Sequence, residues 1–199
     1  IFVGAPGTGK SVCIDCLCKS LVPDPDAVMH INASDERGVD MIRNRIKLFS
    51  QRTFASAPVF KIVVFDEADA MTPGTQHALQ RVVEMCSSTT RFFFACNNVD
   101  KIVDALQSRC TTLRFNCPSS TDIKSYLKLV CDREGARYTE DGLDAITFSC
   151  NGDMRIAINH LQVVAESTDV VDRMNVDFLC DQPSPLDVHT LIDMCVKKR

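Results

Sequence analysis

Gly4-Ala5-Pro6-Gly7-Thr8-Gly9-Lys10-Ser11 fits the pattern G-x-x-x-x-G-K-[ST], the signature of a phosphate-binding P-loop. Glycines let the backbone turn tightly, so that its N–H groups face inward as an anion nest at the start of a helix. A lysine at position 10 reaches the β- and γ-phosphates of a nucleotide, and the Ser11 hydroxyl takes a place on Mg²⁺. The loop, continued into Val12, is read as a cradle for a nucleoside triphosphate. The apolar Ile1-Phe2-Val3 before it reads as the end of a strand, which is the context the motif requires. Further along, Ile62-Val63-Val64-Phe65-Asp66-Glu67-Ala68-Asp69 is an apolar strand that ends in carboxylates. An Asp at such a strand end, beside a P-loop, helps to hold Mg²⁺; Asp66 suits that role. Glu67 is then placed to orient or deprotonate a water for attack on the γ-phosphate. Paired acids alone usually mark a solvated turn, but four preceding apolar residues and the upstream P-loop set this pair apart.

These groups need a scaffold, and short apolar runs at 27–31, 60–65, 92–96 and 111–115 supply its strands. They lack strict alternation, as expected of strands buried on both faces of a parallel sheet. Helical patterns lie between them: Val39, Ile42, Ile46 and Phe49 recur at three and four residues, and so do Leu79, Val82 and Val83. The alternation predicts an α/β P-loop nucleoside triphosphatase fold, a parallel sheet flanked by helices. Near Pro118 the rhythm changes. Helices are predicted from Ser119 or Ser120 to Gly135, from Thr139 to Asn151-Gly152, over Ile156 to Val164, and briefly after Asn175. The expected division is a nucleotide-binding core over 1–117, a small helical lid over 118–180, and a linker opening a further helical domain over 181–199. The chain opens inside a strand without an initiator Met and is read as part of a longer protein.

A net charge of −4 argues against a bulk polyanion binder, so any contact with nucleic acid has to be local. No apolar run is long enough to span a bilayer. Eleven cysteines are scattered without paired spacing. The cluster Cys13, Cys16 and Cys18 has no second Cys/His pair to complete a tetrahedral metal site, and small buried hydrophobes in a reducing compartment are the better reading.

Six stretches occur together in order: residues 4–11, Asn32-Ala33-Ser34-Asp35-Glu36-Arg37-Gly38, Asp66-Glu67-Ala68-Asp69, Ala95-Cys96-Asn97, Ser108-Arg109-Cys110 and Gly152-Asp153-Met154-Arg155. As a set they resemble the small subunits of replication factor C, the sliding-clamp loader of the AAA+ superfamily. Residues 66–72 with 105–110 look most like the subunit numbered five in animals and three in fungi. The resemblance implies ATP and Mg²⁺ as cofactors, ATPase activity mainly in the assembled complex, and a nuclear location. It implies that Asn97 is a sensor helping to position the attacking water. Arg155 becomes a second sensor on the lid, and Arg109 an arginine finger that completes the site of the adjacent subunit. The implied partners are the other subunits of a heteropentamer, the ring-shaped sliding clamp (proliferating cell nuclear antigen) and primer-template DNA.

Residues 37–52 carry Arg37, Arg43, Arg45, Lys47 and Arg52 against a lone Asp40. Arg43 and Lys47, four apart, share a helix face opposite the apolar stripe. By resemblance this face, with Arg81, tracks DNA phosphates without reading sequence. By resemblance the clamp is expected near Met85 and Cys86, apolar positions that read equally as core. Two other readings compete: a nucleotide-binding scaffold of the same complex that hydrolyses little, and a helicase-type motor suggested by the letters D-E-A-D. Intact Lys10, Ser11, Asp66 and Glu67 oppose the first; the helical lid and the S-R-C stretch oppose the second.

Overall fold

The structure, a computed structural model, describes residues 1–34, 39–52, 60–180 and 191–196. The chain divides into two compact units, Ile1–Asn116 and Cys117–Arg199. Arg37, the sequence at 35–38 and most of the expected linker, 181–190, lie outside the described residues.

The first unit is built on a five-stranded parallel sheet. Its strands are β1 (Phe2–Gly4), β2 (Val28–Asn32), β3 (Lys61–Asp66), β4 (Thr90–Cys96) and β5 (Leu113–Phe115), in the spatial order β2-β3-β4-β1-β5. Consecutive residues of β3 point to opposite faces. Val63 and Phe65 join one apolar layer with Ile42, Ile46, Leu79 and Val82, while Ile62 and Val64 join another with Ile14, Cys18 and Val22. Both layers are dry, which is why β3 reads as a continuous apolar run. Helix α1 (Lys10–Leu21) covers one face; α2 (Val39–Gln51) and α3 (Pro73–Cys86) cover the other. Phe65 and Phe94 stack at 5.1 Å between neighbouring strands of that second layer. A short helix, α4 (Asp104–Gln107), precedes β5.

Two buried polar side chains hold these layers in place. Lys61, at the start of β3, donates from Nζ to the carbonyls of Ser50 (2.5 Å) and Arg52 (2.6 Å), fastening the end of α2 to the sheet. Burial lowers its pKa. Gln76 of α3 is fully buried and uses both ends of its amide. Its Nε2 donates to the carbonyls of Met71 (3.1 Å) and Lys101 (2.9 Å), and its Oε1 accepts from the Val103 N–H at 2.7 Å. It thereby ties the segment after β3 to the segment after β4. Gln76→Leu removes the partner of those backbone groups, and an unmet buried group costs about 1–3 kcal/mol. The expected loss of stability is about 2–4 kcal/mol, read as a lower urea midpoint with an unchanged slope.

The second unit is helical: α5 (Ser120–Glu134), α6 (Glu140–Ser149), α7 (Met154–Ser167) and α8 (Arg173–Leu179). Each begins on a side-chain cap. Ser119 and Asp122 form a capping box, Thr139 accepts from the Gly142 N–H, Asp153 from those of Arg155 and Ile156, and Asp172 from that of Asn175. Gly135 closes α5 in the left-handed conformation at φ 70°. Leu127, Leu143, Ile146, Ala157, Leu161 and Val164 form the core.

Two expectations are corrected. The fourth helix starts at Arg173 and not after Asn175, because Asp172 is its cap. The cysteine cluster is not uniformly buried: Cys18 is inside, Cys13 half-buried and Cys16 exposed, since helical periodicity turns only Ile14 and Cys18 to the sheet. Among the described residues no group of three or more His, Cys, Asp or Glu could hold a metal, and no helix is long and apolar enough to cross a membrane.

Candidate functional site

Strand order brings the chemistry together. With β1 flanked by β4 and β5, and β3 beside β4, the loops leaving the carboxyl ends of β1, β3 and β4 emerge side by side. Such a point, where the order of a parallel sheet reverses, is where open α/β sheets place their ligands. The P-loop leaves β1, Asp66 and Glu67 close β3, and Asn97 follows β4.

The loop's residue types follow from its surroundings. A Cβ at Gly4 would lie 2.3 Å from the Phe115 carbonyl oxygen of the adjoining strand, so only glycine fits. Gly9 caps α1 at φ 89° and ψ 13°, a left-handed conformation that leaves the first turn without a side-chain cap. Its N–H groups and the positive end of the helix dipole are thereby offered to an anion. Thr8 braces the turn by donating to the Ala5 carbonyl at 2.8 Å. Pro6 and Gly7 complete it, Gly7 at a positive φ of 67°. Val12, on the first turn of α1, is exposed.

Lys10 is 8% exposed and its ammonium is the hub of the site. Nζ donates to the carbonyls of Gly4 (2.9 Å) and Ala5 (2.8 Å) and to Oδ1 of Asn97 (2.9 Å). Ser11 donates from Oγ to Asp66 Oδ2 at 3.3 Å. A hydroxyl and a carboxylate converging with no nitrogen or sulfur donor suit a hard cation such as Mg²⁺, which keeps several waters and shares phosphate oxygens. The residues present therefore fit the Mg²⁺ role predicted for Ser11 and Asp66. Glu67 adopts φ 52° and ψ 41°, left-handed for a residue with a side chain, and donates its N–H to Asp66 Oδ1 at 3.0 Å. Such a conformation costs roughly 1–2 kcal/mol, and strain of this kind gathers at functional sites.

One contributor has no signal of its own in the sequence. Asp69 accepts from the backbone N–H groups of Asn97 (3.3 Å) and Asn98 (3.2 Å), fixing the turn that presents the Asn97 side chain. Beneath it, burial, helped by the Asp69 charge, pushes the Cys96 thiol up to about 11, so it stays protonated and takes no nucleophilic part at neutral pH.

The other predicted residues stand on other elements. Arg109 bonds Glu84, the Ala105 carbonyl and Ser108, none of which belongs to the phosphate loop. Arg155 is on α7 of the second unit, exposed in the first turn. Arg43 and Arg81 are exposed and Lys47 half-buried, on the neighbouring helices α2 and α3. Met85 is 63% exposed, but Cys86 packs in the core and is not available to a partner.

Residues 1–117 match the family described as "ATPase family associated with various cellular activities (AAA)". The chain belongs to this AAA family. Its similarity extends beyond the AAA region. Replication factor C subunit 4 of Schizosaccharomyces pombe is 42% identical over 198 residues, covering 98% of this chain and 58% of that protein. Replication factor C subunit 2 of Arabidopsis thaliana is 43% identical over 195 residues, covering 96% and 59%. The chain thus spans less than two thirds of the length of these relatives. Among solved structures, the Thermotoga maritima RuvB Holliday junction branch migration motor shares the fold at a TM-score of 0.72 and 14% identity, covering 90% of this chain and 60% of that one. The α/β P-loop fold expected from the alternation of strands and helices, and the AAA family implied by the resemblance, are the ones found; the P-loop, Asp66 and Asn97 occupy one end of the sheet.

Proposed function

We propose that this AAA chain is the nucleotide-binding part of a replication factor C small subunit. In this reading it binds ATP with Mg²⁺, hydrolyses it within a multi-subunit clamp loader, and helps to place the sliding clamp on primer-template DNA. The observation that carries the reading is the hydrogen bonding of Lys10 to Asn97 and of Ser11 to Asp66 at the switch point of the sheet. Similarity to replication factor C subunits over nearly the whole chain supports a place in a multi-subunit complex.

The roles are those the motifs and the resemblance imply. The nest of 4–12 and Lys10 hold the phosphates, Ser11 and Asp66 the cation, and Asn97 and Glu67 the water that attacks. Arg155 reports nucleotide state from the helical unit. Arg109 serves a neighbour's site, a role compatible with its bonds to Glu84, Ala105 and Ser108, none of them in the phosphate loop. ATP held between subunits then acts through its different affinity for two states of the assembly. The nucleus is the compartment that goes with this work. The match of 66–72 and 105–110 to the subunit numbered five in animals and three in fungi is the finer assignment we favour, although the relatives named above are numbered four and two.

Affinity capture of the full-length protein tests the whole reading. Four AAA companions and a ring clamp should come with it. Capture of the protein alone, or of a strand-displacing motor, would sink it.

DNA contact makes its own prediction. Arg43 and Lys47 sit on the helix that Lys61 fastens to the sheet, so their heads are displayed from a fixed platform. Each phosphate neutralised contributes about 0.9 to the slope of log affinity against log salt. Arg43→Glu with Lys47→Glu should make that slope shallower by about 2 and raise the DNA concentration needed for half-maximal ATPase stimulation. Basal ATPase should hold; an equal fall in both rates would mark a folding defect instead.

A further inference from the structure

Arg109 does not hang free. Its Nε donates to Glu84 Oε1 at 2.6 Å, and its Nη1 donates to the Ala105 carbonyl at 2.8 Å and to Ser108 Oγ at 3.3 Å. Those bonds fix the guanidinium plane from one side. Among the described residues none is made by Nη2, which leaves that edge of the fork for an incoming anion. Glu84 itself is held: it lies one turn beyond Gln80 on α3, and Gln80 Nε2 donates to the same Oε1 at 3.2 Å. The Gln80 and Arg109 bonds, in that order, keep the Glu84 carboxyl below the usual range, so it is ionised at neutral pH.

An ion pair this exposed, with Arg109 at 39% and Glu84 at 47%, adds little to stability, because solvent screens it. Its consequence is geometric. A five-donor planar fork on a long side chain loses its aim unless something locks the rotamers, and an error of about 1 Å at a reacting group costs on the order of 100-fold in rate.

We infer that Glu84 is a positioning residue, aiming the guanidinium of Arg109 so that its open edge meets the γ-phosphate bound to the adjacent subunit. The inference rests on the trans role proposed above for Arg109. It makes α3 a lever. The helix that follows the acidic end of β3, and that carries Arg81, also sets the finger for a neighbour's site. Movement of α3 on one subunit is therefore felt as a change of turnover on the next.

The test is a double-mutant cycle in the assembled complex of full-length subunits, with ATPase measured at saturating clamp and DNA. Glu84→Ala should lower kcat by about 10- to 100-fold with KM for ATP changed less than about twofold, because aim is needed only in the transition state. Glu84→Gln keeps an oxygen acceptor for Nε and should restore most of the rate. In an Arg109→Ala background, Glu84→Ala should cause no further fall. Full turnover with Glu84→Ala, or an equal fall in the Arg109→Ala background, would overturn the inference while leaving the finger in place. Unchanged turnover with Arg109→Ala alone would remove the finger and this inference together.

Discussion

Lys10→Ala should abolish measurable ATP binding at this site. The ammonium is nearly buried and donates to the Gly4 and Ala5 carbonyls and to Asn97. In the proposed nucleotide complex it would exchange them for phosphate oxygens, each such charge-assisted bond contributing about 1.5–3 kcal/mol. Loss of two costs about 3–6 kcal/mol, or roughly 100- to 20,000-fold in affinity. The substitution also frees the loop, since the same nitrogen ties β1 to the turn after β4. Titration calorimetry with a non-cleavable analogue and Mg²⁺ measures the effect, and an unchanged dissociation constant would refute the assignment of the cradle. Lys10→Arg separates the two contributions: it keeps the charge but cannot sit as a point donor between two carbonyls and an amide.

Much of this site is legible along the chain because its parts are local. The phosphate loop is eight consecutive residues, and its spacing alone fixes which backbone groups face inward. The strands announce themselves by apolar runs, since both faces of β3 are covered. The caps Ser119 and Thr139 can be read for the same reason, the bond lying within one turn of the side chain. What depends on strand order is not legible. Lys10 and Asn97 are 87 positions apart, and only the placement of β1 beside β4 makes them neighbours. Asp69 appears in the sequence as one letter of an acidic motif, and its service to the turn at 97–98 emerges only in three dimensions. Gln76 and Glu84 look like ordinary polar residues on an amphipathic helix; one is sealed in the core and the other grips Arg109. Cys86 fails in the opposite direction. Beside exposed Met85 it invites reading as surface, but the turn of α3 carries it inside.

Glu67→Gln should separate binding from cleavage. The glutamate follows Asp66 in a strained left-handed turn, its N–H bound to the Asp66 carboxylate and its side chain exposed at the end of β3. A carboxylate so placed accepts a proton from water; an amide of the same shape cannot. Removing a general base lowers rate by about 100- to 10,000-fold, and it leaves the phosphate nest, Lys10 and the cation ligands untouched. The assembled complex with Glu67→Gln in this chain alone should therefore bind ATP with near-normal affinity but lose single-turnover hydrolysis at this site. Asp66→Asn, by contrast, removes the negative charge from the proposed cation site and should weaken Mg²⁺-dependent binding as well. This pairing decides between a working ATPase and a nucleotide-holding scaffold. In a scaffold the triphosphate serves only to join neighbours, so exchange of the base for an amide would change neither assembly nor the total rate. A complex that turns over ATP at its original rate with Glu67→Gln would support the scaffold and end the catalytic reading of Glu67.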